Sequence, residues 1–583
     1  MFRGAFFSLF IFFGGLLPAM AQESAEKKTI SEKIDGLVDP VAKFCNGAIF
    51  FSVPVGNGQK LPVVLALLAG TAIFLTIYFR FINLRSFKLA FRTVRGRYSK
   101  KDDPGQITHF QALATALSAT VGLGNIAGVA VAIGLGGPGA VFWMVIMGLL
   151  GMTSKFTECT LGVRYRDIDA KGNVQGGGMR YLSKGLAEIG LGPIGEALAI
   201  IFAVACIGGA IGAGNMFQIN QSTSQVVETF GMDKDKSIFF GLLLALIVGS
   251  VILGGIRSIA NVTSFLVPIM TITYVLACLI VLGGHLSAIP SALGVIVKEA
   301  FAPTALAGGF VGGLIQGIKR GVFSNEAGLG SAAIAHAPVK TTKPASEGIV
   351  ALLEPFIDTV VICLMTALVI VVTGVWKADA SLKDEAALYE KPESTVVVQS
   401  VGSGALVKVE SIPMHELAAT SLEHATKGNI EWVRVRVKES EKVGYMQAEN
   451  LEKVGGIGLT SRSFATVIPW FPFVLTVAVV LFAFSTMISW YYYGEQALGY
   501  LSGGKPAAIV VFKIFFCLCV VIGSAASLDN VILLSDAMYF AMVFPNLIGI
   551  YFLLPVVKKE LEKFQRFAKR VDEGASLDEA AEE

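Results

Sequence analysis

The stretch Thr120-Val-Gly-Leu-Gly-Asn-Ile-Ala-Gly128 constrains this chain more than any other, because it interrupts a membrane-length apolar segment in its middle. Gly122 and Gly124 favour a local break in the helix, and Asn125 places a polar amide beside it. Backbone N–H and C=O groups opened inside hydrocarbon are costly unless something satisfies them. Such a break is tolerated where it lines a cavity, as in the discontinuous helices of secondary carriers. The stretch therefore points to a solute site inside a bilayer.

The composition fits that setting. The chain is 54% hydrophobic and 16% charged, the balance of an all-α polytopic membrane protein. Its 64 glycines suit close helix packing in lipid. Arg80, Arg85, Lys88, Arg92, Arg95, Arg97, Lys100 and Lys101 follow one another with no acid between them. Next to an apolar span, such a run marks the cytoplasmic face, not a nucleic-acid surface.

Met1 to Ala21 carries Arg3, an apolar core and the ending Ala19-Met-Ala21, the pattern of a signal peptide (1–21) followed by an external segment, 22–60. Apolar segments then fall at 61–80, 108–134, 139–163, 193–217, 237–256, 261–283, 307–324, 346–374, 465–490, 507–526 and 530–556, about eleven spans of bilayer length. With the mature N-terminus outside, Arg164, Arg166, Lys340, Lys343 and the basic tail from Lys558 fall inside, in the cytoplasmic (inner) membrane of a bacterium. The tail, 558–583, ends in an acidic run from Asp572 that reads as disordered.

Core regions 61–375 and 458–557 flank an abruptly charged stretch, 376–457, placed outside by this topology. Thr395–Gln399, Ala405–Val409 and the strictly alternating Trp432–Val437 read as strands, and Val443–Leu451 resembles the closing strand of SH3-like modules. We expect a small external β-barrel, either a passive spacer or a binder of an external partner or cell-wall ligand. The cysteines mostly lie in apolar runs as small hydrophobes, and the five histidines are scattered, so no metal centre is suggested. His109 and His336 fall near predicted helix ends, where a proton relay is the less simple reading.

Other chemistry is excluded by pattern. Gly122-Leu-Gly124 lacks a preceding strand, and its third glycine stands one place late for a nucleotide fingerprint; no Walker lysine motif appears. Glu354 and Asp358 lie one turn apart, but no nucleophile accompanies them, so they read as a gate, a proton-linked pair or backbone partners rather than a catalytic dyad. Asp529 and Asp536 read the same way.

Four motifs make the reading specific: Val121-Gly-Leu-Gly-Asn-Ile-Ala-Gly128, Gly136-Gly-Pro-Gly-Ala-Val-Phe-Trp-Met144, Gly317-Ile-Lys-Arg-Gly-Val-Phe-Ser-Asn-Glu-Ala-Gly-Leu-Gly-Ser331 and Glu354-Pro-Phe-Ile-Asp-Thr359. In this order they closely resemble the alanine or glycine:cation symporter family. The resemblance implies a leucine-transporter-like scaffold of two inverted five-helix repeats, each with a broken first helix, carrying a small neutral amino acid with Na+, or H+, and no organic cofactor. It implies a substrate carboxylate at the N–H groups of Leu123 and Gly124, near Thr120, Gly122 and Asn125. It further implies a cation held by carbonyls of Ser118 and Val121, by Ser485, Thr486 and the Phe482 carbonyl, with Asn125 at a second ion site. Hydroxyls bonded within their own helix are the alternative for Ser485 and Thr486.

Phe217 and Gln218 could line the pocket, with Asn215 on the same face as Gln218. Gln316 is a candidate substrate contact or a packing residue. Gly309, Gly313, Gly317 and Gly321 form a stripe expected to pack on helix 108–134. Lys319 and Arg320 should snorkel, and Glu326 should brace the second break. The rival class is a membrane sensor whose external β-module binds a ligand; the short tail offers no signalling output domain.

Overall fold

The computed structural model describes residues 39–581 apart from 41–42, 57–58, 233–235, 303–308, 378–379, 383–385, 392–395, 402–404, 412–431, 439, 448–449, 454–455 and 527. The signal peptide and most of the external segment lie outside the described residues, as does the side chain of Asp529.

The chain enters as a hairpin, β1 (Ser52–Gly56) and β2 (Gln59–Pro62), within the expected external segment. The helices follow: α1 (Val63–Tyr78), α2 (His109–Thr120), α3 (Gly124–Gly136), α4 (Gly139–Arg164), α5 (Gly192–Phe230), α6 (Ser237–Ile252), α7 (Gly255–Gly284), α8 (Ile289–Ala300), α9 (Gly309–Asn325) and α10 (Pro344–Thr373). After the insertion come α11 (Gly456–Ala465), α12 (Phe471–Ser502), α13 (Pro506–Ala525), α14 (Leu528–Phe540) and α15 (Val543–Asp572). Among the described residues, seven helices are long and apolar enough to cross a bilayer, and α2 with α3 forms a further, bent span. The protein is a mostly helical, multi-pass membrane protein.

Local chemistry explains several boundaries. Thr108 and Gln111 cap the start of α2 reciprocally, at 3.2 and 3.0 Å, satisfying donors that a helix start would otherwise bury. Proline occupies the first turn of α5, α10, α12 and α13, where its missing N–H is harmless. Wide π turns occur at Gly124–Gly128, Tyr181–Gly185, Gly212–Met216 and Phe356–Cys363, the last directly after Pro355. Such turns concentrate at functional positions.

The glycine stripe on α9 does not pack chiefly on the 108–134 helix. A Cβ on Gly317 would enter the Ala140 carbonyl and stand 2.6 Å from Trp143, and one on Gly321 would stand 3.2 Å from the Met144 carbonyl, so the stripe seats on α4. Gly313 approaches α3, at 3.3 Å from the Gly136 carbonyl. Small residues allow that backbone-to-backbone approach.

Lys319 and Arg320 do not snorkel. Arg320 is buried against Asp536 of α14, Lys319 reaches the same carboxylate at 2.7 Å, and the Arg320 and Lys319 cations also lie over the rings of Phe323 and Phe50. A carboxylate from α14 made burial possible where lone cations would have sought water.

The described part of the acidic tail, 572–581, is packed against the basic run as well. Asp572 receives Arg92 at 2.5 Å, Arg97 at 2.9 Å and Tyr98 at 3.0 Å, and Asp578 pairs with Lys100. The tail thus covers part of the basic run.

The insertion forms an antiparallel sheet of β5 (Ala380–Leu382), β6 (Ala386–Tyr389), β7 (Val397–Val401), β8 (Leu406–Ser411), β9 (Trp432–Val437), β10 (Val443–Gln447) and β11 (Leu451–Lys453). Its order, β11-β5-β8-β9-β10-β6-β7, leaves β11 and β7 at the ends of the described pairings. In β9 the alternation holds: Val435 and Val437 are buried and Arg434 is exposed. Lys438 ties the sheet to the end of α10, donating to the Gly374 carbonyl at 2.8 Å.

Candidate functional site: the break at Gly122

Helix α2 ends where Val121 turns extended (ψ 90°), and α3 leaves at 51° to it. The freed backbone is satisfied by side chains. The Gly122 N–H donates to Asn125 Oδ1 at 2.8 Å, and the Leu123 N–H donates to Gln218 Oε1 at 3.3 Å. The Ser118 carbonyl accepts from Thr486 Oγ1 at 3.0 Å, and the Ile126 carbonyl accepts from Thr460 Oγ1 at 3.0 Å. Every residue from Ser118 to Gly128 is buried, so in this conformation the break is sealed from solvent.

A second break faces the first. After α9 the chain runs through Glu326 (φ 59°), Gly328 (φ 91°) and Gly330 (φ 82°) before the short helix Ala332–His336. Glycine fits the two left-handed positions without strain. Glu326 braces the loop by accepting from Ser331, as its place in the motif suggested. A Cβ on Gly124 would touch the Ser324 backbone at 3.5 Å, and Phe217 packs edge-on against Phe323 with ring centres 5.1 Å apart.

Of the expected cation ligands, Ser118, Phe482, Ser485 and Thr486 lie together between α2 and α12, whereas Asn125 turns to Asp358 of α10. Ser118 Oγ donates to the Ser485 carbonyl at 2.8 Å, and Ser489, one turn further along α12, donates to Ser118 Oγ at 3.0 Å. Ser485 Oγ turns back to the Phe482 carbonyl of its own helix at 3.0 Å, whereas Thr486 crosses to α2. The group is oxygen-only, neutral and buried, a donor set suited to a hard cation.

The sequence pairs Asp358 only with Glu354, one turn away; the structure puts Asp358 beside the break. Its Oδ1 accepts from Asn125 Nδ2 at 2.6 Å, and its Oδ2 accepts from Ser324 Oγ and Thr359 Oγ1, both at 2.7 Å. One buried carboxylate thereby joins α3, α9 and α10. The signal available in the sequence was Pro355, which cannot donate to the preceding turn and precedes the π stretch carrying Asp358.

Other expected residues sit elsewhere. Thr120 Oγ1 bonds the Ala116 carbonyl of its own helix at 3.2 Å. Asn215 does not share the pocket face with Gln218: it donates to the Phe516 carbonyl of α13 at 2.7 Å, because the π turn rotates the two apart. Gln316 is not brought to the break. It packs against Gly136, about 18 Å along α3 from Gly124 at 1.5 Å per residue.

The Sodium:alanine symporter family matches residues 53–409 and 442–577, and the chain belongs to that family. The match pauses only at 410–441, inside the insertion. The Sodium/alanine symporter AgcS of Methanococcus maripaludis is 36% identical over 509 residues, covering 87% of this chain and 95% of the relative. The Probable sodium/glutamine symporter GlnT of Bacillus subtilis is 30% identical over 515 residues, covering 88% and 89%. A solved structure, MhsT in complex with L-phenylalanine, aligns over 78% of this chain and 99% of that one at TM-score 0.43 and 11% identity, too loosely to fix which helices correspond. Membership places the chain among amino-acid:cation symporters and not among enzymes.

Proposed function

We propose that this protein is a sodium-coupled symporter of small neutral amino acids, alanine or glycine, in the cytoplasmic membrane, with the basic run 80–101 inside. The observation that carries the reading is the buried break at Gly122, whose backbone groups are held by side chains from α5 and α12. A substrate carboxylate would displace Gln218 Oε1 from the Leu123 N–H at the start of α3, where the helix dipole favours negative charge. A sodium ion would take over the oxygens of Ser118, Phe482, Ser485 and Thr486 that now bond one another. Asn125, bound to Asp358, would link the two sites. Because both exchanges act on α2 and α3, binding of one partner alters the break that the other uses, which is the physical basis of coupling.

Sealing of the break from solvent supports alternating access: cargo enters and leaves only when helices move. The two facing breaks support the inverted-repeat scaffold, with α2–α7 and α9–α15 as its halves. The β-insertion stands outside this machinery as a small SH3-like module. The test is radiolabelled alanine uptake into proteoliposomes under imposed sodium or proton gradients. Uptake driven by sodium is the expected result; uptake driven only by protons would install the proton-coupled alternative, and indifference to both gradients would defeat symport.

A further inference from the structure

A chain of buried ionisable groups lies beside the second break and takes no part in the binding exchanges described above. Ser99 Oγ meets His109 Nε2 at 2.7 Å, and His109 Nδ1 bonds Glu347 Oε2. The other oxygen of Glu347 meets His336 Nδ1 at 2.5 Å. Lys155 Nζ lies 2.9 Å from Glu354 Oε1. Four elements are joined in this way: the start of α2, α4, the short helix Ala332–His336 and α10.

One gap remains. His336 Nε2 and Glu354 Oε2 stand 3.5 Å apart, both are fully buried, and neither has a hydrogen-bond partner. An ionised carboxylate only accepts, so each imidazole that bonds Glu347 presents its N–H there. The far nitrogen of His336 is then either bare or protonated. Bare, its lone pair faces the lone pairs of Glu354, a buried repulsive contact. Protonated, it becomes a cation between two carboxylates. The contact is therefore attractive or repulsive according to one proton.

The surroundings decide how that proton is held. His336 itself faces Glu347 and Glu354 of α10; around those two carboxylates stand His109 from α2, Lys155, Glu158 and Cys159 from α4, Arg166 just after α4 and Tyr493 from α12, with Glu326 near Lys155 across the loop. Four glutamates stand against Lys155, Arg166 and two histidines, so the His336–Glu354 contact lies among closely spaced buried charges whose pairing one proton changes.

We propose that the proton between His336 and Glu354 is a latch: bound, it ties the helix after the second break to α10, and released, it frees that helix for the movement that opens the inner side. The latch rests on the transport reading but is separate from ion coupling, since it needs no proton gradient. Transport would rise with pH even when pH is equal on both sides.

The experiment measures sodium-driven alanine uptake at equal internal and external pH, from about pH 6 to about pH 9, for wild type, H336Q and H336N. Wild-type uptake is expected to rise with pH by up to about tenfold per unit at the acid end, the limit for one proton, while both variants are flat. A second readout is independent of cargo: the thermal unfolding midpoint of the solubilised protein against pH. The wild-type midpoint should exceed that of H336Q at acid pH, and the excess should vanish as pH rises and the proton is lost. Sodium-driven uptake with the same pH profile in wild type and both variants would overturn the latch, as would parallel unfolding curves. A pH-dependent midpoint difference without any uptake would support the latch and count against the transport reading.

Discussion

Alanine at position 122 is the most direct test of the break. Gly122 needs no left-handed backbone, so the substitution acts through space alone. The new Cβ would stand 2.5 Å from Thr486 Oγ1 and 3.3 Å from Gln218 Oε1. Thr486 must then rotate away, leaving the buried Ser118 carbonyl without its donor, and Gln218 must shift from the Leu123 N–H. An unsatisfied buried acceptor costs about 1–3 kcal/mol and the weakened second bond up to about 1 more. The sum, about 1–4 kcal/mol, corresponds to roughly 5- to 1,000-fold in an equilibrium constant. Because the rotated Thr486 hydroxyl is also one of the proposed cation donors, its withdrawal should appear as a rise in the sodium concentration needed for half-maximal alanine uptake. Adding Thr486→Ala should relieve the clash but still leaves the Ser118 carbonyl without its donor, so neither full thermal stability nor sodium dependence should return. A Gly122→Ala protein with wild-type sodium dependence and maximal rate would refute the assignment of this seam to the ion.

Three further outcomes follow from the geometry. Asp358→Asn leaves one acceptor oxygen for donors on three elements, so alanine uptake should fall by about tenfold or more at about 1.5–3 kcal/mol per charged hydrogen bond, in protein that still elutes as a folded species. Asp536→Asn strands Arg320 and Lys319 in the interior and should destabilise by about 3–5 kcal/mol, read as a lower unfolding midpoint; an unchanged midpoint would mean that the pair is not buried in the membrane. Replacing 379–455 by a short flexible linker should leave uptake within about twofold of wild type, since the residues that hold the break at Gly122 all lie outside the insertion; abolished uptake in folded protein would assign the sheet to the transport machinery.

What was readable in the sequence divides along a physical line. Apolar length and punctuation by glycine and proline are local properties, and they located the helical segments and the break at Gly122. The alternation in Trp432–Val437 is equally local, and its buried valines confirm the strand. Partners across the fold are not local. Arg320 looked like a snorkelling residue because Asp536, its partner, lies 216 positions away. The glycine stripe predicted close packing but not whether α3 or α4 would receive it. Asn215 and Gln218 were set one turn apart on an ideal helix, and the π turn at Gly212–Met216 broke that spacing. The acidic tail read as disordered because its partners, Arg92, Arg97 and Lys100, belong to a run whose charge looked spoken for by the membrane rule alone.

The same division explains why the break is informative beyond its own sequence. An isolated segment with Gly122 and Gly124 can open, but it leaves Leu123 N–H and the Ser118 carbonyl bare. Here those two groups are met by Gln218, 95 positions on, and Thr486, 368 positions on from Ser118. Such long-range partners exist only in the assembled bundle, so the opening is an equilibrium feature of the fold and not a weak point in one helix. The two contacts also differ in kind from the mainchain bonds of a continuous helix. A side-chain amide and a hydroxyl can rotate away without unwinding anything, so a carboxylate and a cation can replace them at little cost in structure. A helix closed by its own backbone would have to be melted for the same exchange. The side-chain capping of the break therefore supports a binding role more strongly than the break alone does.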